Sequence, residues 1–476
     1  MANRVPRSAD VGRPEIRVLL ENGEYWLNNK GDLAILDVMV RRFAERCPGA
    51  RIGVLTSAPA LLRAYEPGAD PVCYQRGGDW SRRRWSGHSG VTSRLGPEIA
   101  GAPMNGWDAA VALPGKIAAR VRRIAGRVGD TDSSGSETTS TTTGSVPLAL
   151  RRDGGHVPNA AATASVVVAI GGGYLTDVDR FQTERTLNLL EYAIGRGVPT
   201  AMTGQGIGPL TEPDLLERAG RVLPRVDLIA LREGVQGPEL LRSLGVPPDR
   251  IVVTGDDAVE LGYSTRRRQL GTDIGVCIRV AEYSPVGAAM QEAVGRVVRG
   301  AAAEFGAGLV PLIVSEHDAE DRRSTMPLLE GYAGAVAPLG RYASARALSR
   351  QVGRCRIIVT GAYHVAVFAL SQGISVVGLS TTRYYDDKFA GLASMFGTGV
   401  QLVRLDRTGA EDRVREAIHE LWAGAPASRP ELLGRAEDQI RAGRAVFDRI
   451  VGLMDADATA RRGPDTDPSL PPTFPR

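Results

Sequence analysis

The stretch Ser165-Val-Val-Val-Ala-Ile-Gly-Gly-Gly173, followed by Tyr174-Leu-Thr-Asp177, decides the fold of this chain. Its β-branched run predicts a parallel strand that is buried on both faces, and its glycines predict a tight turn at the end of that strand. A long helical pattern then leads to a second apolar run, which ends in Gly204-Gln-Gly-Ile-Gly-Pro209. Two such units in series predict a βαβ fold with both glycine turns at the carboxyl edge of one sheet, where open α/β sheets bind ligands.

Apolar runs that end in glycine or a charged residue recur along the whole chain. In the first half the other predicted strands are Ile16–Leu20, Arg51–Thr56, Val226–Leu231 and Ile251–Thr254. In the second half they are Asp273–Arg279, Gly308–Val314, Arg356–Thr360 and Ile374–Ser380. The alternation of strands and helices predicts an α/β fold of two Rossmann-like domains that face a cleft. The predicted domains span residues 14–268 and 269–425, followed by a helix over 426–455 and a disordered tail over 456–476.

An insert from about residue 76 to residue 160 interrupts the first predicted domain. Residues 130–147 are of low complexity and are predicted to be disordered, because they offer little apolar surface to bury. Residues 109–128 carry basic residues at helical spacing, which fits either an amphipathic helix or an ordinary surface helix. The insert is not expected to form a domain of its own.

Composition and charge disfavour several classes of protein. The 476 residues carry a net charge of only +4, and the densest basic cluster, Arg82–Arg84, is typical of a solvated loop, so a nucleic-acid partner is not predicted. The four cysteines show no metal-ligand spacing, and no run reaches the ~18 apolar residues of a membrane span. The first 14 residues lack the apolar core of a signal peptide. We therefore expect a soluble, cytoplasmic protein.

Cations and glycines at predicted strand ends suggest an anion site. Phosphate-bearing ligands need backbone amides, helix N-termini and basic side chains. The glycine segments offer Gly172, Gly173, Gly206 and Gly208, and the strand ends or the loops after them offer Arg232, Arg279, His364 and Lys388. A strand-end arginine is also a common ion-pair partner. His364, where a strand meets a helix, either donates to a phosphate and moves a proton or simply caps that helix.

Polar residues near the other strand ends have two interpretations each. Asn29 or Asp32 caps a helix, and the amides that remain free there could hold an anion. His317 lies beside Asp318 and Asp321 as a metal-ligand candidate, although such a polar loop is more often merely solvated. No metal site is predicted from these weak signals.

Taken together, these motifs resemble the polysaccharide pyruvyl transferases over roughly residues 16 to 400. The residues that carry the resemblance are Asn29-Lys-Gly-Asp32, Gly171–Gly173 with Asp177, Gly206-Ile-Gly-Pro209, Arg232-Glu233, Thr254-Gly-Asp-Asp257, Arg279 and His364. The resemblance implies a two-domain fold of the glycosyltransferase-B type. It also implies phosphoenolpyruvate as the donor, with no cofactor, and a pair of sugar hydroxyls of a cell-surface polysaccharide or glycolipid precursor as the acceptor.

The resemblance also implies roles for individual residues. His364 and Arg232 are expected to be catalytic. The residues expected to bind substrate are Asn29, Gly31, Asp32, Gly172, Gly173, Asp177, Gly206, Gly208, Arg279 and Lys388. The family pattern Arg-x-His reads Ala362-Tyr363-His364 here. The missing guanidinium is replaced by another cation, Lys388 or Arg383, or the donor has changed.

Two other functions stay open at this point. A glycosyltransferase that uses a nucleotide sugar would fit the same fold, and so would a non-catalytic binding homologue. The transferase hypothesis requires Arg232 and His364 to face one cleft with no acidic group between them. The acceptor is a sugar or a lipid-linked sugar, the basic insert is a candidate for peripheral membrane contact, and the oligomeric state is not predicted.

Overall fold

The computed structural model describes residues 15–73, 77–80, 97, 157–317 and 320–462. Within these ranges the chain forms two separate parallel β-sheets, with helices on their faces. The predicted helix over residues 109–128 and the low-complexity segment over residues 130–147 lie outside the described residues, as does the predicted tail beyond residue 462.

The first sheet has the strand order β3-β2-β1-β4-β6-β7-β8, with the short β5 paired to β6. Its strands are β1 Arg17–Glu21, β2 Arg51–Leu55, β3 Asp70–Val72, β4 Val166–Ala169, β5 Gly172–Leu175, β6 Thr200–Ile207, β7 Leu228–Leu231 and β8 Ile251–Val253. Its helices are α1 Lys30–Arg46, α2 Pro59–Tyr65, α3 Arg180–Gly195, α4 Pro213–Val222, α5 Gly237–Ser243 and α6 Ala258–Ser264. The strand order reverses between β1 and β4, so a ligand crevice is expected at their carboxyl ends.

The second sheet has the strand order β10-β9-β11-β12-β13. Its strands are β9 Asp273–Cys277, β10 Leu309–Pro311, β11 Cys355–Thr360, β12 Ser375–Ser380 and β13 Val400–Arg404. Its helices are α7 Ala288–Phe305, α8 Glu320–Leu329, α9 Ala345–Val352, α10 Tyr363–Leu370, α11 Arg383–Phe396 and α12 Ala410–Arg462. Here the order reverses between β9 and β11, which gives this half a crevice of its own.

The second glycine segment is not the turn that the sequence predicted. Gly204 and Gly206 lie inside β6, because the short strand β5 continues the hydrogen-bonded pairing beyond the end of β4. The β6–β7 register shifts between Met202 and Gln205, and Gly204 has a φ of +52° at that irregularity. Positive φ is tolerated best by glycine. The segment is therefore a bulged strand whose bare Cα atoms leave room for a neighbouring side chain.

The last helix is much longer than predicted. The predicted helix over residues 426–455 belongs to α12, which begins at Ala410 and passes through Pro426 and Pro430. A proline inside a helix leaves the carbonyl four residues before it without a donor. For Pro426 that carbonyl is Trp422 O, and the Arg356 Nε donates to it at 3.0 Å. This replacement donor and the exposure of both prolines explain why the helix continues.

Helix α12 joins the two halves. It packs against β11, β12 and α7 of the second half and also contacts α6 in the first. Farther along, the Phe447 ring meets the Phe43 ring of α1 edge to face, with centroids 4.6 Å apart. The two sheets are thereby held with their carboxyl edges facing each other. No helix in the described ranges is both long enough and apolar enough to cross a bilayer.

Candidate active site

The two crevices meet where α1 touches α10. Asn29 caps α1, and its side chain accepts a hydrogen bond from the Gly31 N–H at 2.9 Å. A Cβ atom built on Gly31 would lie 2.5 Å from the Cβ of His364 and would overlap its ring. His364 is the second residue of α10 and is only 8% exposed. Glycine is thus needed at position 31 for the histidine to lie against the start of α1.

Arg232 enters the same place from the end of β7. Its guanidinium fills the space beside two glycines of the first half: a Cβ on Gly206 would lie 2.5 Å from its Nε, and one on Gly173 would lie 2.7 Å from its Nη2. The guanidinium carbon lies 4.2 Å from the ring centroid of Tyr363, within the range of a cation–π contact. Both glycine segments therefore leave the space that the Arg232 guanidinium occupies.

Asp256 lies between the two residues that we expect to be catalytic. Its Oδ2 is 3.8 Å from Arg232 Nη1 and 3.7 Å from His364 Nε2. Arg232 and His364 thus face one cleft, but the expectation that no acidic group separates them is wrong. The reason is physical: a buried guanidinium at the end of a strand needs a counter-charge, and the loop after β8 supplies it. His364 Nε2 and Asp256 Oδ2 have no hydrogen-bond partner among the described residues.

The electrostatics of this centre favour a neutral histidine and a weakly acidic aspartic acid. Burial lowers the pKa of His364 well below its ordinary value, and the charges of Arg232, Lys388 and Arg279 lower it further. Burial raises the pKa of Asp256 to about 6, against the opposing effect of Arg232. A bound anion would offset the surrounding positive charge and would make it easier to protonate His364.

Lys388 brings a second cation from the other half. It lies on α11, with its Nζ 3.9 Å from the ring centroid of Tyr384 and 3.5 Å from a Cβ built on Gly173. The hydroxyl of Tyr384 donates to Gly173 O at 3.3 Å, so α11 closes over the first glycine turn. Burial, and then the charges of Arg232 and Arg279, lower the pKa of Lys388 well below its ordinary value. The ammonium has no carboxylate partner among the described residues.

Arg279 is not the free anion clamp that the sequence suggested. Its Nε and Nη2 donate to the two carboxylate oxygens of Asp321 at 2.5 and 3.0 Å. Asp321 is fully buried on α8 and also accepts from the Ser315 N–H at 2.6 Å. Arg279 therefore uses its Nε and Nη2 in the contact with Asp321. Its Nη1 lies 3.5 Å from the hydroxyl of Tyr283.

Asp32 is the unpaired carboxylate of the cleft. It follows Gly31 in α1 and has neither a hydrogen bond nor an ion pair from its side chain among the described residues. Burial raises its pKa to about 7, and the charges of Glu24 and Asp256 contribute to the rise. Across from it, His317 forms an ion pair with Glu24 at 3.4 Å. Burial disfavours the charged ring, but Glu24 outweighs that effect and raises the pKa of His317 to about 8.

Several predicted binding residues have structural partners instead. Asp177 accepts hydrogen bonds from the Thr211 N–H and hydroxyl and from the Glu212 N–H, so it holds the loop before α4. The Gly208 N–H donates to Leu175 O, and a Cβ on Gly208 would meet Leu240 rather than the cationic pocket. A Cβ on Gly172 would lie 2.6 Å from the ring of Tyr174.

The structure also shows the surroundings of Ala362, the position that departs from the family pattern. Ala362 is fully buried and precedes α10, with its N–H donating to Thr360 Oγ1 at 2.9 Å. Of the two proposed replacements, Arg383 has a side chain that is 90% exposed and faces Asp387 at 3.8 Å. Lys388 lies inside the cleft beside Gly173. The structure thus places Lys388, and not Arg383, inside the cleft near Gly173.

Two acidic residues that change the charge of the site, Asp256 and Glu24, had no role predicted from the sequence. Asp256 belongs to a recognised strand-end motif, and its position directly after a strand was the signal for a role in the cleft. Glu24, whose carboxylate accepts from the N–H groups of Trp26 and Asn29, had no such motif. His317, the candidate metal ligand, lies at the cleft and forms an ion pair with Glu24 there. Its neighbour Asp318 lies outside the described residues.

Comparison with known proteins agrees with this architecture. A UDP-N-acetylglucosamine 2-epimerase structure described for Listeria monocytogenes shares 14% identity, with 94% of this chain and 98% of that chain covered and a TM-score of 0.52. The UDP-GlcNAc 2-epimerase from Neisseria meningitidis, solved with UDP-GlcNAc bound, shares 11% identity over 92% of this chain and 100% of that chain, with a TM-score of 0.49. The first likeness and the two facing sheets confirm the glycosyltransferase-B type of fold.

Sequence comparison decides the family. No curated protein matches the chain at a significant level. The family model of polysaccharide pyruvyl transferase matches residues 29–383, a span that begins at the cap of α1 and includes His364. The matched span contains most of both sheets and the residues that converge on the cleft. The chain therefore belongs to the polysaccharide pyruvyl transferase family.

Proposed function

We propose that the protein transfers a pyruvyl group from phosphoenolpyruvate to a pair of sugar hydroxyls, giving a pyruvate ketal and phosphate. The carboxylate of Asp256 lies between Arg232 and His364, so the donor is not placed between these two residues. The observation that supports this donor is instead the pair of buried cations beside Gly173. Arg232 Nη2 and Lys388 Nζ approach the bare Cα of this glycine from opposite halves of the molecule, 2.7 and 3.5 Å from a built Cβ. A small dianion suits this arrangement, because two cations and a strand end are available to it.

The proposed reaction begins with a proton at the methylene carbon of the donor. That carbon gains a hydrogen, the neighbouring carbon becomes electron-deficient and an acceptor hydroxyl adds to it. Phosphate then leaves with the C–O bond pair, and the second hydroxyl adds to the same carbon to complete the ketal and gives its proton to the departing phosphate. Burial and the nearby cations keep the pKa of His364 well below its ordinary value, so its role as the acid depends on the bound dianion, which raises that pKa. Asp32, with a pKa of about 7, is suited to accept the hydroxyl proton.

Lys388 is proposed to replace the arginine that family members carry at position 362. Its ammonium is poorly solvated, and burial together with Arg232 and Arg279 lowers its pKa. A dianion would relieve both effects, because it supplies a counter-charge to a group that has none among the described residues. Loss of the bidentate guanidinium would still weaken the grip on the donor, since an ammonium binds as a point charge.

Phosphate release tests the proposal. The full chain is incubated with phosphoenolpyruvate and a nitrophenyl glycoside or a sugar-lipid, and free phosphate is followed over time. His364→Ala is expected to abolish turnover, whereas His419→Ala, a half-exposed histidine on α12, serves as the matched control. An unchanged rate in His364→Ala would remove this residue from the chemistry.

Ligand-induced stabilisation separates the competing functions. Phosphoenolpyruvate is expected to raise the unfolding temperature, while uridine and guanosine diphosphates are not. Stabilisation by a nucleotide alone would favour a nucleotide-sugar transferase, and tight donor binding without phosphate release would favour a binding homologue. We further propose a cytoplasmic enzyme with no cofactor, acting on a precursor of a cell-surface polysaccharide or glycolipid.

A further inference from the structure

A group of arginines without carboxylate partners surrounds the segment that connects the two halves. Arg266, Arg267 and Arg268 follow α6 directly and are all exposed. Arg350 lies in the last turn of α9 and is exposed, and Arg429 lies on α12 and is half-buried. We call these five residues the linker arginine surface. None of them forms an ion pair with a carboxylate among the described residues.

Contacts between three segments hold these arginines together. Arg429 Nη2 donates to Arg267 O at 2.6 Å, and its Nη1 donates to Gln372 O at 2.8 Å, so α12 is fastened to the linker. The Cγ of Arg267 lies 3.6 Å from a Cβ built on Gly353, the residue that ends α9 just after Arg350. Burial, and then the positive charge of Arg266, lower the pKa of Arg429. Arg266 and Arg429 are thus close enough to repel each other.

Acidic residues near this surface are engaged elsewhere. Asp273 faces Arg354 at 3.2 Å, and Asp37 faces Arg346 at 3.5 Å. Glu437 accepts a hydrogen bond from the hydroxyl of Tyr263. No carboxylate of the described residues forms an ion pair with the five arginines, although Glu437 keeps its negative charge near Arg266 at the Tyr263 side chain. The linker arginine surface is a concentrated charge for a chain whose net charge is only +4.

We infer that the linker arginine surface docks the protein on an anionic lipid membrane. Clusters of four to eight basic residues are typical of surfaces that attract phosphate headgroups. Single-stranded nucleic acid is usually bound with open aromatic rings for stacking. At this surface the ring of Tyr263 is covered by the Arg266 guanidinium, 3.5 Å from its centroid. The inference does not depend on the proposed reaction.

Vesicle sedimentation tests this inference. The full chain is mixed with vesicles of phosphatidylcholine alone or of phosphatidylcholine with phosphatidylglycerol, and the pelleted fraction is measured. Wild type is expected to pellet only with the anionic vesicles, and less so as salt rises. Each arginine near an anionic surface contributes roughly a fivefold factor to partitioning. The combined variant Arg266→Gln, Arg267→Gln, Arg268→Gln is therefore expected to lose on the order of a hundredfold.

A matched variant controls for total charge. Arg221→Gln, Arg225→Gln, Arg242→Gln removes the same charge from exposed positions of the first half and is expected to pellet like wild type. Arg350→Gln alone, on a different segment, should weaken pelleting without disturbing the linker. Both triple variants should melt like wild type, because all six side chains are exposed.

Four results would overturn the inference. Wild type that ignores anionic vesicles has no membrane-docking surface. Equal loss in both triple variants would mean that binding depends on net charge and not on this surface. Displacement from vesicles by millimolar inorganic phosphate at constant ionic strength would assign the arginines to a free phosphate. Tighter binding of a single-stranded oligonucleotide than of anionic vesicles would assign them to nucleic acid.

Discussion

Gly31→Ala tests the contact on which the active site is built. A Cβ at this position would lie 2.5 Å from the Cβ of His364, whereas ordinary contacts between such atoms begin at 3.4 Å. His364 or the start of α1 must therefore move by about 1 Å. A misplacement of this size in a reacting group costs on the order of a hundredfold in rate, or about 2.7 kcal/mol of transition-state stabilisation. Overpacking also lowers the free energy of unfolding by about 1–3 kcal/mol.

The assay is the rate of phosphate release from phosphoenolpyruvate, with the unfolding temperature measured on the same samples. Gly300→Ala is the matched control, because it also lies in a helix but a Cβ there would meet nothing within 4 Å. That variant should keep full activity and gain about 0.5–1 kcal/mol of stability. A Gly31→Ala protein that stays folded and turns over at the wild-type rate would refute the assignment of His364 to the reacting centre.

Three further predictions follow from the cleft. Lys388→Met should raise the KM for phosphoenolpyruvate about 10- to 100-fold in steady-state kinetics, since one charged contact is lost. Lys388→Arg should have a KM between those of Lys388→Met and wild type. A KM of Lys388→Met equal to that of wild type would exclude Lys388 from donor binding. Asp32→Asn should raise the free energy of unfolding at pH 8, by at most about 4 kcal/mol, but not at pH 4. The Asp32 carboxyl of the wild type has a pKa of about 7 in the folded state and 3.8 in the unfolded state, so wild-type stability falls as the pH rises from 3.8 to 7. The same difference in unfolding free energy between variant and wild type at both pH values would contradict this. Asp321→Asn should lower the free energy of unfolding by about 3 kcal/mol in urea titrations, because the buried Arg279 guanidinium loses its counter-charge and one of two acceptor oxygens. Asp412→Asn, an exposed pair on α12, should change it by less than about 1 kcal/mol.

The two buried cations of the cleft, Arg232 and Lys388, would favour the binding of the proposed donor. Arg232 and Lys388 repel each other and depress the pKa of His364, and Asp256 offsets only part of this charge. Bringing a dianion into the pocket is therefore expected to be favourable and to raise the proton affinity of the histidine. The Asp256 Oδ2 lies 3.7 Å from Nε2 of His364, which is beyond hydrogen-bond distance.

The strands of both sheets were predictable where they are central and apolar. The runs at Val166–Ala169 and Cys355–Thr360 are buried on both faces, and their composition is decisive. The short edge strands β3 and β13 were missed because three to five residues with mixed composition carry little signal. The short β5 was missed because its glycines favour a turn locally, and only pairing with β6 makes them a strand.

For the site, the sequence supplied the right residue types but not their partners. Strand-end positions place Arg232 at the carboxyl edge of the first sheet and His364 at that of the second. That these two edges face each other, with Lys388 of α11 between them and Gly173, is a property of the folded chain. Whether an arginine there is free depends on side chains that are distant in sequence. Arg279 was expected to be a clamp and is paired, because Asp321 lies 42 residues later and meets it only in the folded state.

The sequence by itself determined that this chain is a two-sheet α/β protein of the pyruvyl transferase family, because buried strand composition and strand-end motifs are local properties of the chain. Only the tertiary structure decided which charges remain available. Asp321 occupies Arg279, Asp177 holds a loop, Asp256 enters between Arg232 and His364, and Lys388 reaches Gly173. Electrostatic interactions depend on distance and burial in three dimensions, and neither quantity is contained in the order of the residues.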